Sequence, residues 1–128
     1  MTGPRRRRAT LRPAERIRKT GDFRAVYRAR ARAGDGRLVA YARANGRDVT
    51  RLGVSVGRRC GGAAQRNRIK RLLREAFRRL RPDWPAGYDV VLVPLGRDYT
   101  LEEVARRLRS LVPEAIRRAE HAPGKPGG

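Results

Sequence analysis

Gln65-Arg66-Asn67-Arg68-Ile69-Lys70-Arg71-Leu72-Leu73-Arg74-Glu75-Ala76-Phe77-Arg78-Arg79-Leu80 carries an apolar stripe and a dense cationic face on one predicted helix. Ile69, Leu72, Leu73, Ala76, Phe77 and Leu80 recur at helical spacing, so one side of the segment belongs against a core. Eight cations from Arg66 to Arg81 meet a single acid, Glu75. The like-charge i,i+4 pairs Arg66/Lys70, Lys70/Arg74 and Arg74/Arg78 each cost roughly 0.2–0.5 kcal/mol, and pairing of Glu75 with Arg78 and Arg79 returns only part of that. At about 100° per residue, Asn67, Lys70, Arg71, Arg74 and Arg78 fall on one flank. Arg68 and Arg79 fall on the opposite flank, and Arg66 sits at the helix start beside the apolar stripe. Solvated faces normally mix signs. A helix that carries this repulsion points to a polyanionic partner.

Working outward, the chain of 128 residues is one domain, long enough for a modest core. Its formal net charge is +21. Six of the 33 cations lie before Pro13 or after Ala122, while all 12 acids lie between Glu15 and Glu120, so the body alone carries +15. Such a charge opposes compaction and favours nucleic acid, with an anionic membrane as the weaker alternative. Lysine occurs only at 19, 70 and 125. Arginine suits bidentate phosphate recognition and base stacking, but coding bias in a GC-rich genome produces the same ratio, so the positions of the charges carry the information.

Cys60 and His121 are the single cysteine and histidine. They allow neither an internal disulfide framework nor a Cys/His zinc cluster, they fit a reducing cytosol, and the folded body lacks the commonest general acid–base residue. The acids Asp22, Asp35, Asp48, Asp83, Asp89 and Asp98 show no metal-ligand spacing, and Ser55 and Cys60 lack a partner base. No catalytic residue is expected in the protein itself. Residues 1–12 lack the apolar segment of a signal peptide, and no apolar run approaches a membrane span.

Residues 1–13, with Arg5-Arg6-Arg7-Arg8, read as a disordered basic arm, 14–121 as a single RNA-binding domain, and 122–128 as a flexible tail. Thr20-Gly21-Asp22 before Phe23, Val26 and Tyr27 predicts a capped short helix ending near Arg30. Gly34 and Gly36 break the chain. Arg37 to Ala44 alternates, Asn45-Gly46 marks a turn and Arg51 to Gly57 is a second strand, so 37–57 reads as a hairpin. The basic helix stops before Pro82. Asp89 to Leu95 is nearly all apolar, as expected for a strand covered on both faces. Thr100-Leu101-Glu102-Glu103 is a capping box opening a last helix, which Pro113 should kink or interrupt. The expected fold is an α+β sandwich, α-β-β-α-β-α with room for one more strand (α-β-β-(β)-α-β-α), in which helices pack on a small mixed sheet.

Gly57-Arg58-Arg59-Cys60-Gly61-Gly62 places backbone N–H groups and cations directly before the basic helix, which suits phosphate, although an ordinary glycine-rich turn has the same spacing. Phe23 and Tyr27 lie at i,i+4. If Tyr41 faces the same side as Phe23, stacking on unpaired bases becomes possible; core packing is the simpler role for Phe23. Phe77, Trp84 and Tyr88 read as core and as the cover of the turn after the basic helix.

The run from Gly53-Val54-Ser55-Val56-Gly57-Arg58-Arg59-Cys60 through Gln65-Arg66-Asn67-Arg68-Ile69-Lys70 to Arg78 resembles the strand, basic turn and Arg-Asn-Arg helix of the bacterial ribonuclease P protein family. Ile17-Arg18-Lys19-Thr20-Gly21-Asp22-Phe23, Leu38-Val39-Ala40-Tyr41 and Gly87-Tyr88-Asp89-Val90-Val91-Leu92-Val93 extend the resemblance, which covers residues 16–117. Gly62 stands where the family commonly has Asn, and Ala63-Ala64 is smaller than the usual Ala-Val.

The resemblance implies a subunit of a ribonucleoprotein endoribonuclease whose RNA performs the catalysis, removing the 5′ leader of precursor tRNA with Mg²⁺. The protein itself would bind no cofactor, no membrane and no small-molecule substrate, and would work in the cytoplasm. The residues facing the catalytic ribonuclease P RNA would be Arg58, Arg59, Arg66, Asn67, Arg68, Arg71 and Arg74. Those facing the precursor tRNA leader would be Phe23, Tyr27, Tyr41 and Lys70. It also implies a left-handed crossover through the basic helix, against the roughly 98% preference for right-handed connections. Composition alone leaves a ribosomal protein or other structural RNA binder as the alternative. A DNA-binding helix-turn-helix fits poorly, because the basic helix follows a strand.

Overall fold

A computed structural model describes residues 12–121. The expected tail at 122–128 and the expected basic arm, apart from Arg12 and Pro13, lie outside the described residues. Three helices and four strands follow in the order α1 (Thr20–Ala29), β1 (Ala31–Gly34), β2 (Leu38–Ala44), β3 (Arg51–Val54), α2 (Ala63–Leu80), β4 (Tyr88–Pro94) and α3 (Leu101–Glu120).

The basic stretch forms α2, whose buried side is Ile69, Leu73, Ala76 and Phe77. It gives way to a tight turn at Arg81–Asp83, where Pro82 cannot donate the next helical hydrogen bond. α3 opens as half of the expected box: the Thr100 hydroxyl accepts from the Glu103 N–H at 3.1 Å. The Glu103 carboxylate instead accepts from Arg37 (2.7 and 3.0 Å) and Arg107 (3.0 Å). Pro113 does not interrupt α3, which runs through it with the ring on the exposed side. There water can satisfy the carbonyl that proline leaves unpaired. The cap expected at Thr20–Asp22 is also absent: Lys19 is the N-cap, and no side chain caps α1.

The expected 37–57 hairpin does not form. The strand order is β1-β2-β4-β3, so β4 lies between the two strands read as partners. β4 pairs antiparallel with β2 (Tyr41 opposite Val91) and parallel with β3 (Arg51 opposite Asp89). Its valines and Leu92 are apolar on both faces and belong in the sheet centre. The actual hairpin lies one strand earlier, between β1 and β2. Asp35 makes its turn by accepting from the N–H groups of Arg37 and Leu38, both at 3.0 Å, and Gly36 adopts φ +90°. β1 escapes sequence reading because Ala31 and Ala33 are its only inward residues.

α2 and α3 cover one sheet face, where Leu38, Ala40, Leu52, Val90 and Leu92 meet Ile69, Leu73, Phe77, Val104 and Leu108. α1 covers part of the other face, burying Ile17, Val26 and Val91 and leaving Phe23, Tyr27, Tyr41 and Val93 half-buried. Trp84 packs on Phe77 with ring centroids 5.3 Å apart, as a cover of the turn should. Tyr99, unremarkable in the sequence, is a buried junction. Its hydroxyl donates to the Arg37 carbonyl (2.7 Å) and accepts from the N–H groups of Leu95 (3.1 Å) and Gly96 (2.8 Å).

One ion pair is buried in the sheet. Asp89, 0% exposed, accepts from Arg51 Nε (2.8 Å) and Nη2 (2.7 Å), and its Oδ1 also accepts from Asn45 Nδ2 at 2.8 Å. Asp22 approaches Arg51 from α1 at 3.5 Å. Hydrogen bonding to Asp89, ahead of every other influence, holds the Arg51 pKa above its ordinary value. Replacing Asp89 with Ala leaves Arg51 with only the 3.5 Å contact to Asp22, so urea unfolding should show a loss of about 3 kcal/mol, the lower end for a broken buried pair.

At the other end of the sheet, Asp35 and Glu103 are held together by Arg107 and Arg37. Burial would raise both carboxyl pKa values, but hydrogen bonds outweigh it, from the Arg37 N–H and Arg107 for Asp35 and from Arg37 and Arg107 for Glu103. Both lie below their ordinary values. Their contribution to stability is therefore intact above the ordinary carboxylate range, about 3.9–4.3, and is lost as pH falls through the lower folded values. Thermal melts should show a midpoint falling over that acid range, and Glu103→Gln should reduce the pH dependence there.

Candidate nucleic-acid interface

Because α2 buries its apolar stripe, its cations are displayed on the remaining surface. Asn67, Arg68 and Arg71 are exposed, and Arg66, Lys70 and Arg74 are half-buried. Glu75 takes Arg78 and Arg79, each at 2.8 Å, and hydrogen bonding from Arg78 is the main cause of its lowered pKa. That single acid thus neutralises only the C-terminal part of the helix. Among the described residues, no carboxylate ion-pairs with Arg66, Arg68, Lys70, Arg71 or Arg74. Arg68 does have an internal role, donating to the Tyr99 carbonyl at 3.2 Å while its side chain stays exposed.

The turn before α2 adds Arg58 and Arg59, both exposed on the single turn Arg58–Cys60. Gly61 makes that turn possible: its φ is +116°, and a Cβ there would stand 2.8 Å from Gln65 Cγ. Gly62 is the N-cap of α2, with no capping side chain and no acid in the first turn, so the positive end of the helix dipole is uncompensated. Cys60 is buried, and its thiol approaches the Pro94 carbonyl at 3.5 Å. Burial pushes the thiol pKa up, which disfavours the nucleophilic thiolate.

On the opposite face of the sheet, Phe23, Tyr27 and Tyr41 come together. Tyr41 does face the side of Phe23: both pack around the Val26–Val91 cluster. The Tyr27 and Tyr41 rings meet edge to face at 5.0 Å and 86°, and the Arg32 guanidinium lies 5.6 Å from the Tyr41 ring centre. All three aromatics are half-buried, packed on one side and open on the other. Lys70 stands on α2, in the other layer from these three. Sequence reading missed Arg32, because β1 itself was missed. It also missed the Arg51–Asp89 pair, whose signal is a cation and an acid at strand positions facing the α1 side.

Phe23 rests directly on backbone. A Cβ at Gly53 would lie 2.7 Å from Phe23 Cε1 and 3.3 Å from Ile17 Cβ. Gly53→Ala should therefore displace the ring and cost about 1–3 kcal/mol, as overpacking does. In a double-mutant cycle with Phe23→Ala, measured by urea unfolding, that penalty should largely disappear.

The fold and this surface define a small α+β protein with a cationic helix on one side of its sheet and an aromatic recess on the other. The family model described as Ribonuclease P matches residues 11–116. The ribonuclease P protein component of Clostridium kluyveri is 38% identical over 107 residues, covering 78% of this chain and 93% of that one. The component from Brevibacillus brevis is 35% identical over 120 residues, covering 90% and 95%. Among solved structures, the ribonuclease P protein of Thermotoga maritima superposes with a TM-score of 0.60 at 32% identity, covering 86% of this chain and 99% of that one. A Staphylococcus aureus ribonuclease P protein mutant gives 0.71 at 30% identity, covering 80% and 89%. The chain belongs to the ribonuclease P protein family. None of these comparisons supports the ribosomal alternative.

Proposed function

We propose that this chain is the protein subunit of ribonuclease P, binding the catalytic RNA through the cations of α2 and its preceding turn, and the 5′ leader of precursor tRNA in the aromatic recess. The observation that carries the reading is the grouping of Phe23, Tyr27 and Tyr41 on a half-open sheet face, while five cations of α2 have no ion-pair partner among the described residues. Aromatic faces accept any base, as a leader of variable sequence requires, and guanidinium groups accept phosphates. In the proposed division of labour Arg58, Arg59, Arg66, Asn67, Arg68, Arg71 and Arg74 meet the catalytic RNA, with Lys70 extending toward the leader. Cleavage belongs to the RNA with Mg²⁺, in the cytoplasm. Among the described residues, no group of three or more His, Cys, Asp or Glu is placed to hold a metal ion, and no helix is long and apolar enough to cross a membrane.

The protein's contribution is to hold the leader in one path and to neutralise phosphate repulsion between two RNAs, which lowers the Mg²⁺ needed for their association. Adding the purified protein to the catalytic RNA at low Mg²⁺ should restore leader removal; failure to do so would refute the proposal. In the assembled enzyme, Tyr41→Ala should weaken binding of leader-bearing tRNA by about 1–3 kcal/mol and leave mature tRNA nearly unchanged. Equal losses for both tRNAs would make Tyr41 structural and the recess no leader site.

A further inference from the structure

One side chain at the aromatic recess has no part in that division of labour. Arg32 on β1 stands directly opposite Tyr41 in the antiparallel pairing, and Tyr41 stands opposite Val91 on its other side. Side chains at directly opposed positions share a sheet face, so Arg32 projects on the recess side, at the open end of this row. Its guanidinium lies over the Tyr41 ring, 5.6 Å from the centre. Tyr27 steadies the same ring from α1, with centroids 5.0 Å apart. The strand that carries Arg32 is anchored from α3, where Arg118 donates to the Arg32 carbonyl at 2.6 Å. Arg32 itself is exposed, and no carboxylate of a described residue lies within ion-pair distance of it. Asp35 of the same hairpin is held by Arg107, and Glu114 by Arg117 and Arg118. The next position of β1 on this face is Gly34, where a Cβ would stand 3.8 Å from Arg32 Nη2. No side chain of β1 crowds the guanidinium there.

A guanidinium is planar and weakly hydrated, and it stacks on aromatic rings and on nucleobases alike. The 5.6 Å separation lies within the range of cation–π attraction, yet it is longer than one stacking step of about 3.4 Å. A base between ring and guanidinium needs two such steps, about 6.8 Å. That is roughly 1 Å more than the gap already present, and an exposed arginine supplies it by side-chain rotation with the backbone fixed. We infer that Tyr41 and Arg32 form a slot for one unpaired nucleobase of the leader, with Tyr41 as its floor and Arg32 as its cover. The slot rests on the leader reading of the recess and adds to it a residue from β1 and a requirement on the substrate. A base enclosed on both faces must be unstacked from its neighbours, so the slot takes single-stranded leader and rejects a leader held in a duplex. Neither wall reads base edges. Every base has a π-face, so the slot tolerates variation in leader sequence.

The test uses Arg32→Lys and Arg32→Gln in the full chain, assembled with the catalytic RNA. Lysine keeps the charge and loses the plane, so it removes a stacking cover while retaining simple attraction for RNA. Both variants should bind leader-bearing precursor tRNA about fivefold more weakly than the wild type. Both should bind mature tRNA and the catalytic RNA as the wild type does. In a Tyr41→Ala background, Arg32→Lys should have almost no further effect, because the cover needs its floor. Precursor tRNAs with one abasic nucleotide, scanned through the leader, should identify the enclosed base. At one position the wild type should weaken, and its advantage over Arg32→Lys should disappear. Full affinity in Arg32→Lys would reduce Arg32 to a charge and overturn the slot. Equal losses on mature tRNA, additive losses in the Tyr41→Ala background, or an advantage that survives at every abasic position would overturn it too. Wild-type enzyme that binds precursor and mature tRNA equally would instead refute the leader reading itself, and so the two failures are separable.

Discussion

The bidentate pair between Arg51 and Asp89 fixes the register on which the rest of the sheet depends. Buried ion pairs add little net stability over an apolar pair, but breaking one is costly. Here that asymmetry acts on strand alignment. Arg51 and Asp89 are directly opposite in the parallel pairing of β3 and β4. A one-residue slip of either strand would turn its charge toward the apolar side under α2 and α3 and leave the other charge buried without its partner. With β4 held against β3 on one edge and β2 on the other, α2 becomes the connection between two parallel strands, and its apolar stripe is committed to the sheet. The cationic face of α2 is outward for that reason.

The same logic governs the acids as a group. Glu15 holds Arg81, Asp35 holds Arg107, Glu75 holds Arg78 and Arg79, Glu103 holds Arg37 and Arg107, and Glu114 holds Arg117 and Arg118. Most of these pairs are partly exposed and individually weak. Their collective effect is to decide which arginines are left over. On α2, those with no ion-pair partner among the described residues lie in its first two-thirds, beside the turn carrying Arg58 and Arg59. A large net charge thereby becomes a localised one.

How much of this was legible in the sequence depended on whether the signal was local. The basic helix, the all-apolar strand and the Thr100 cap are local patterns, and they appear where periodicity and capping chemistry put them. Pairing was not local. β2 and β3 follow one another with an Asn45-Gly46 turn between them, yet the partner of both arrives some forty residues later in the chain. Asn45 serves that later strand too, since its side chain bonds Asp89. β1 was invisible because alanine carries little strand preference. Of the candidate interface, the cations and the three aromatics were readable as residue types, whereas the roles of Tyr99 and Arg51 exist only once the sheet is closed.

The position of the central strand has a consequence for how the chain is made. β4 is the last strand to be synthesised, and it separates two strands that are complete well before it. Until Pro94 has emerged, β2 and β3 each present an unpaired edge, and the stripe of α2 has only part of a sheet to cover. Folding must therefore wait for long-range closure instead of growing hairpin by hairpin, the situation in which chains fold slowly. During that interval the chain is held open partly by its own charge, and mutual repulsion among arginines keeps the exposed edges of neighbouring nascent chains apart.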